Sequence, residues 1–193
     1  MICEKCNLCK EATKQCFPSG SDHPLIYIVG EAPGKEEDEA GVPFVGRSGQ
    51  LLREALRTVG ISEDQFRLFN IVRCIPRNNR GVRAPSDEEK SACHEYLYAD
   101  IVKHQPGVIL TLGGSSSSYL LGDKFSTITR TRGILNKDMT ISYQWNGNTY
   151  SYTTAIIASF HPSYLLRNGR NPELMDKLYH DISLARDYAI GRI

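Results

Sequence analysis

Cys6 and Cys9 stand three positions apart in a polar amino-terminal segment, and Cys74 and Cys93 each fall beside an expected element end. Four thiolates brought to one place suit either zinc or an iron–sulfur cluster. Cys3, Cys6 and Cys9 also obey Cys-x-x-Cys-x-x-Cys, so an amino-terminal set completed by Cys16 is a competing arrangement. A second group of reactive side chains is more dispersed: Gly30-Glu31 with Glu37 six residues on, Asn70, and His161 followed by Pro162. Two carboxylates, an amide and an imidazole around one cleft could orient a polar substrate, position water and stabilise a leaving group. Beyond His161 come Ser163, Leu165, Leu166 and Arg167. Paired leucines in a loop are unusual, because apolar side chains normally sit on a core face. They either fold back onto a helix or form a wedge that enters a partner.

The elements that must position these groups follow from hydrophobic periodicity. Short apolar runs at 25–29, 68–72, 108–112 and 155–158 predict four strands. Leu51, Leu52, Ala55, Leu56 and Val59 keep helical spacing until Gly60, and Ser86 with Glu89 forms a capping box ahead of Cys93, Leu97 and Ile101. A short helix follows Gly113-Gly114, and a last one carries Leu174, Leu178, Ile182, Ala185 and Ala189. The acidic stretch from Lys35 to Gly41 reads as a loop. Alternating runs on either side of Asn146-Gly147 predict a β-hairpin near 139–153. Strands alternating with helices give a three-layer α/β/α arrangement around a four-stranded, mostly parallel sheet, with the hairpin as an addition. The chain reads as one domain over 1–193, its Cys-rich segment 1–20 supplying ligands. In such sheets ligands gather at the carboxyl ends of the strands. Here those ends carry Gly30-Glu31, Asn70, Gly113-Gly114 and His161, which defines one candidate site.

With 23 basic and 22 acidic residues the net charge is +1, so no global field announces a polyanionic partner. Any basic surface is local, and Arg73, Arg77, Arg80, Arg83, Arg130 and Arg132 could provide phosphate contacts. No apolar signal core or membrane-length run is present, so a cytoplasmic protein with reduced thiols and no membrane contact is expected.

Taken in order, several stretches resemble the family 4 uracil-DNA glycosylases, the iron–sulfur branch of that superfamily. They are Gly30-Glu31-Ala32-Pro33-Gly34 with Glu36-Glu37-Asp38, Gly41 to Gly49 including Phe44, Asn70-Ile71-Val72-Arg73-Cys74, Asn79-Arg80 with Pro85, Thr129 to Gly133, and His161 to Arg167. No single motif is decisive, but the ordered set spans nearly the whole chain. The resemblance implies a [4Fe–4S] cluster on Cys6, Cys9, Cys74 and Cys93, structural rather than catalytic, leaving Cys3 and Cys16 spare. It implies that the partner is uracil-containing DNA, single- or double-stranded, that the protein is a monomer, and that free uracil and an abasic site are the products. By the same resemblance Phe44 stacks on the flipped base beside Gly30, and Asn70 reads its edge. His161 stabilises the departing uracil, and Glu31, or Glu37 as second candidate, stabilises the sugar cation and positions water. Ser163, Leu165, Leu166 and Arg167 face DNA, the leucines as a wedge. A recruiting polymerase or clamp is left unspecified.

Gly81-Val82-Arg83 looks inserted relative to the family, Ser115 to Ser118 stand where small apolar residues are usual, and the hairpin is an addition. No segment matches the histidine-bearing loop of the branch that bonds covalently to DNA, which favours hydrolysis. The rival readings are a non-catalytic DNA-binding relative, a glycosylase for another altered base, and a zinc-stabilised nucleotide-binding domain.

Overall fold

Parallel strands are covered on both faces and therefore read as continuous apolar runs. In the computed structural model, which describes residues 3–193, those runs become the core of a sheet. The first two residues of the Cys-rich segment lie outside the described residues. A single helical turn, α1 (Leu8–Glu11), precedes a two-residue strand, β1 (Ser19–Gly20). Then come β2 (Ile26–Gly30), α2 (Lys35–Ala40), α3 (Arg47–Thr58) and β3 (Phe66–Asn70). The paired β4 (Arg77–Asn78) and β5 (Gly81–Val82) lead to α4 (Asp87–His104), β6 (Val108–Leu112), α5 (Gly114–Leu121) and α6 (Ile128–Thr131). The long β7 (Leu135–Trp145) and β8 (Asn148–Ser159) are followed by α7 (Pro162–Arg167) and α8 (Pro172–Ala189).

The sheet order is β1-β3-β2-β6-β8-β7. β3, β2, β6 and β8 run parallel, and β1 and β7 pair antiparallel at the two edges. On one face Ile26, Ile28, Leu110 and Ile157 pack against Leu52 and Leu56 of α3 and Leu178 and Ile182 of α8. On the other, Tyr27, Val29, Ile109 and Ile156 meet Leu97 and Ile101 of α4 together with Cys74 and Cys93. Each aliphatic side chain buried this way contributes about 1.5–3 kcal/mol.

The four parallel strands stand where the apolar runs predict them, and the antiparallel edges raise the count to six. The hairpin is no appendage. β8 runs unbroken from its exposed outer half into the fourth core strand, with β7 beside it along most of that length. The stretch expected as an acidic loop is the helix α2. Asp38 is fully buried there, accepting the Thr13 N–H at 3.0 Å and pairing with Arg77 at 2.9 Å. Among the described residues no helix is long and apolar enough to cross a membrane.

One buried acid organises the far wall. Asp181 of α8, 0% exposed, accepts the Ser159 hydroxyl at 2.6 Å and the Arg132 Nε–H at 2.8 Å. It thereby ties the end of β8 and the segment after α6 to α8. Replacing Asp181 by Ala strands the Arg132 guanidinium beside an apolar layer, and breaking such a pair costs roughly 3–5 kcal/mol. Urea denaturation followed by circular dichroism should show that loss.

Candidate active site

At the carboxyl ends of the parallel strands the chain leaves a cavity of about 650 Å³. Glu31, Glu37, Phe44, Asn70, Gly113 and His161 are among its lining residues, so one chamber collects the groups expected there. Its floor is backbone. Gly30 pairs with Asn70 across β2 and β3, and past the strand ends the Ile71 and Val72 N–H groups donate to the Gly30 and Glu31 carbonyls at 3.0 and 3.3 Å. A Cβ on Gly30 would stand 2.3 Å from Asn70 Oδ1 and 2.6 Å from Phe44 Cζ. Only glycine lets the amide and the ring close over that floor.

Asn70 is 4% exposed, lines the cavity, and among the described residues its amide has no protein hydrogen-bond partner. A nearly buried amide turned to a cavity is equipped to read a ligand edge. Phe44, also nearly buried, is held in the left-handed region at φ 56°. Such strain in a bulky residue persists only where the surroundings dictate it. Here α3 dictates it: a Cβ on Gly49 would lie 1.9 Å from the Phe44 carbonyl oxygen, so the helix seats directly on that backbone. The Phe44 and His161 rings are 6.3 Å apart, inclined by 29°.

The two carboxylates have different surroundings. Both Glu37 oxygens accept backbone N–H groups, from Gly34 at 3.1 Å and Gly46 at 2.9 Å, so Glu37 braces the loop after β2 against the turn before α3. Glu31 is half-buried at the cavity and, among the described residues, has no side-chain hydrogen bond.

His161 caps α7, its Nδ1 accepting the Ser163 N–H at 3.1 Å and lying 2.8 Å from Ser163 Oγ. With Nδ1 occupied as an acceptor, the single proton of the neutral ring belongs on Nε2. Desolvation, then the nearby Arg167 cation, pushes the His161 pKa down to about 4. At neutral pH the ring is an uncharged donor with a fixed tautomer.

The segment after His161 is helical, because Pro162 occupies the first helical position, where its missing N–H and fixed φ cost nothing. That corrects the paired-leucine reading. Leu165 is 0% exposed and belongs to the core beneath α7 rather than to an exposed wedge. Leu166 is half-buried against the same core, and Arg167, which lines the cavity, is exposed. The Ser163 hydroxyl, expected at DNA, is engaged between His161 and Arg167, whose Nη1 donates to it at 3.3 Å. The inserted Gly81-Val82-Arg83 forms the β4–β5 hairpin at the opposite rim. Arg83 is clamped by both Glu89 oxygens at 2.6 and 2.7 Å, while Val82, 49% exposed, borders the cavity. Asp181, Ser163 as a histidine-orienting group and the hairpin brace are the features that sequence reasoning missed.

The cysteines separate into two groups. Cys16 donates its thiol to the Glu37 carbonyl at 3.1 Å, burial pushes its pKa up to about 12, and it is no part of the apolar layer that holds Cys74 and Cys93, which disfavours the amino-terminal set. Cys74 and Cys93 are buried in the apolar layer under α4, with Cys6 and Cys9 packed against that layer, and all are free thiols. The Cys74 and Cys93 thiols also lie within electrostatic range of Cys6 and Cys3. Among the described residues no three His, Cys, Asp or Glu side chains form a single-ion site. The donor chemistry, four soft thiols at one apolar wall, fits an iron–sulfur group.

Residues 17–183 match the family model described as the uracil DNA glycosylase superfamily. The chain is 39% identical over 186 residues to the type-4 uracil-DNA glycosylase of Thermotoga maritima, covering 96% of this chain and 88% of that protein. It is 36% identical over 193 residues to the type-4 uracil-DNA glycosylase of Sulfurisphaera tokodaii, with 97% and 80% covered. To that of Saccharolobus solfataricus it is 35% identical over 170 residues, with 86% and 73% covered.

Proposed function

The chain belongs to the uracil DNA glycosylase superfamily, and from that premise we propose that it excises uracil from DNA through the Glu31–Asn70–His161 cavity. The observation that carries the reading is the convergence of an amide and a carboxylate, both without side-chain hydrogen bonds among the described residues, with an aromatic face and a neutral imidazole on one chamber.

Uracil stacked in a duplex cannot reach such a cavity, so the nucleotide is flipped out or taken from a single strand. Phe44 stacks on the base, a contact open to any base. Asn70 supplies the discrimination: its NH₂ donates to uracil O4 and its oxygen accepts from N3–H. Cytosine presents the reverse pattern and leaves the amide mismatched. As the glycosidic bond lengthens, negative charge grows on uracil and positive charge on the sugar. The His161 Nε2–H donates to uracil O2 and stabilises that anion. Glu31 faces the sugar, stabilises its oxocarbenium character and positions the attacking water. Glu37 acts through the loop it braces.

Leu166 fills the space of the displaced nucleotide, and Arg167 meets a phosphate. Cys6, Cys9, Cys74 and Cys93 would hold a [4Fe–4S] cluster, which when bound would tie the amino-terminal segment to α4 and the loop after β3. The exposed Arg80 at the β4–β5 turn is a phosphate contact. Replacing Arg80 by Ala should weaken binding equally for all sequences and lower the salt slope by about 1, leaving the rate on saturating substrate unchanged. Fluorescence anisotropy across a salt series measures it.

The reading is tested by incubating the holoprotein with an oligonucleotide bearing one uracil, then cleaving abasic sites with alkali, beside a matched cytosine strand. Cleavage confined to the uracil position is expected. A brown, folded, DNA-binding preparation that leaves both strands intact overturns it in favour of a binding-only role or another altered base.

A further inference from the structure

Arg73 leaves β3 directly ahead of Cys74 and is only 6% exposed. Its guanidinium lies between the rings of Phe17 and Tyr96, 4.3 and 4.4 Å from their centroids. Nη2 donates to Gln15 Oε1 at 3.0 Å, whereas among the described residues the buried Nε–H has no partner. The other arginines held in the structure have carboxylates: Arg67 has Asp100, Arg83 has Glu89 and Arg132 has Asp181. Among the described residues Arg73 has none. A cation withdrawn from water needs a compensating charge, and a buried N–H needs an acceptor. Aromatic faces soften the first requirement and leave the second unmet.

The side chain is built into the wall of the cysteine chamber. Arg73 directly precedes Cys74, and its cation lies within electrostatic range of the Cys74 and Cys93 thiols. Gln15, which orients the guanidinium, also bonds both backbone groups of Cys3, at 3.1 Å to its N–H and 2.7 Å to its carbonyl. Among the described residues no carboxylate is paired with this guanidinium. Four thiolates on a [4Fe–4S] core, with a net charge of −2, would balance it.

We propose that Arg73 is the counter-cation of the iron–sulfur cluster, its free Nε–H donating to a cluster sulfur. The inference rests on the cluster assignment made above. A fixed positive charge and a hydrogen bond to sulfur both favour the electron-richer state of a cluster. Their removal makes reduction harder.

Iron and acid-labile sulfide are measured first on anaerobically purified protein; their absence would sink the cluster assignment and this inference with it. With the cluster present, the reduction potential is determined by dithionite titration for wild type, Arg73→Met and Arg73→Lys. Arg73→Met should disfavour reduction at least tenfold, which is 59 mV for one electron. Arg73→Lys, which keeps the charge, should shift less than half as far. An Arg73→Met protein with an intact cluster and the wild-type potential overturns the proposal and leaves Arg73 an aromatic staple. Should Arg73→Met fail to fold, pulsed EPR of the reduced wild type labelled with arginine carrying ¹⁵N at Nε alone decides. A nitrogen coupling supports the Nε–H contact, and none overturns it.

Discussion

Replacing His161 by Ala is expected to slow single-turnover uracil release roughly 10²–10³-fold, the cost of removing one donor aimed at a developing oxyanion. The side chain also caps α7, so part of the change in Ala is stability, about 0.5–2 kcal/mol for a lost cap. His161→Asn separates the two effects. Asparagine caps helices well yet cannot place a donor where Nε2 stands, so it should keep the stability and still lose the rate. Wild-type rate in His161→Asn contradicts the assignment.

The same geometry fixes a pH dependence. A free histidine titrates near 6.5, whereas burial and Arg167 hold His161 down to about 4. The folded pKa lies below the unfolded one, so the unfolded chain takes up the proton first. This contribution to stability is complete above pH 6.5 and is lost as the pH falls from there towards 4. NMR titration of the His161 ring should give a midpoint near 4; a midpoint near 6.5 would mean a solvated imidazole.

Replacing Asn70 by Ala should cost uracil release roughly 10²–10⁴-fold, because two hydrogen bonds in a nearly dry site vanish together at ~1–3 kcal/mol each. The effect falls on selectivity as well as rate. Phe44 still stacks on any base, so whatever activity remains should no longer favour uracil over cytosine. Folding should be unaffected, since among the described residues the Asn70 amide bonds no protein group. Competition between uracil and cytosine oligonucleotides at equal concentration measures both effects. An Asn70→Ala protein that keeps its preference would place base reading elsewhere in the cavity.

Much of this site was legible in the sequence for a simple reason. Parallel strands buried on both faces must be apolar, and their carboxyl ends must converge, so Gly30-Glu31, Asn70 and His161 had to meet. Elements without an apolar signal were missed. The residues that α2 buries include Glu37 and Asp38, stabilised by N–H donors and Arg77 rather than by hydrophobicity, so an acidic helix read as a loop. In α7 a proline that starts a helix read as one that ends a strand. Neighbouring positions on a helix point about 100° apart, so Leu165 and Leu166 face the core to different degrees, the second only half-buried against it. Asp181 breaks the apolar stripe of α8 one residue before Ile182, a charge on a core face that could have signalled a buried ion pair. The two-residue strand β1 is too short to leave a pattern at all.

The most direct test is product analysis of the holoprotein acting on uracil-containing DNA in ¹⁸O-labelled water. Mass spectrometry should find free uracil, one solvent oxygen on the abasic sugar and unmodified protein. Intact DNA, or a sugar joined to the protein without solvent oxygen, would contradict hydrolysis at the Glu31–Asn70–His161 cavity.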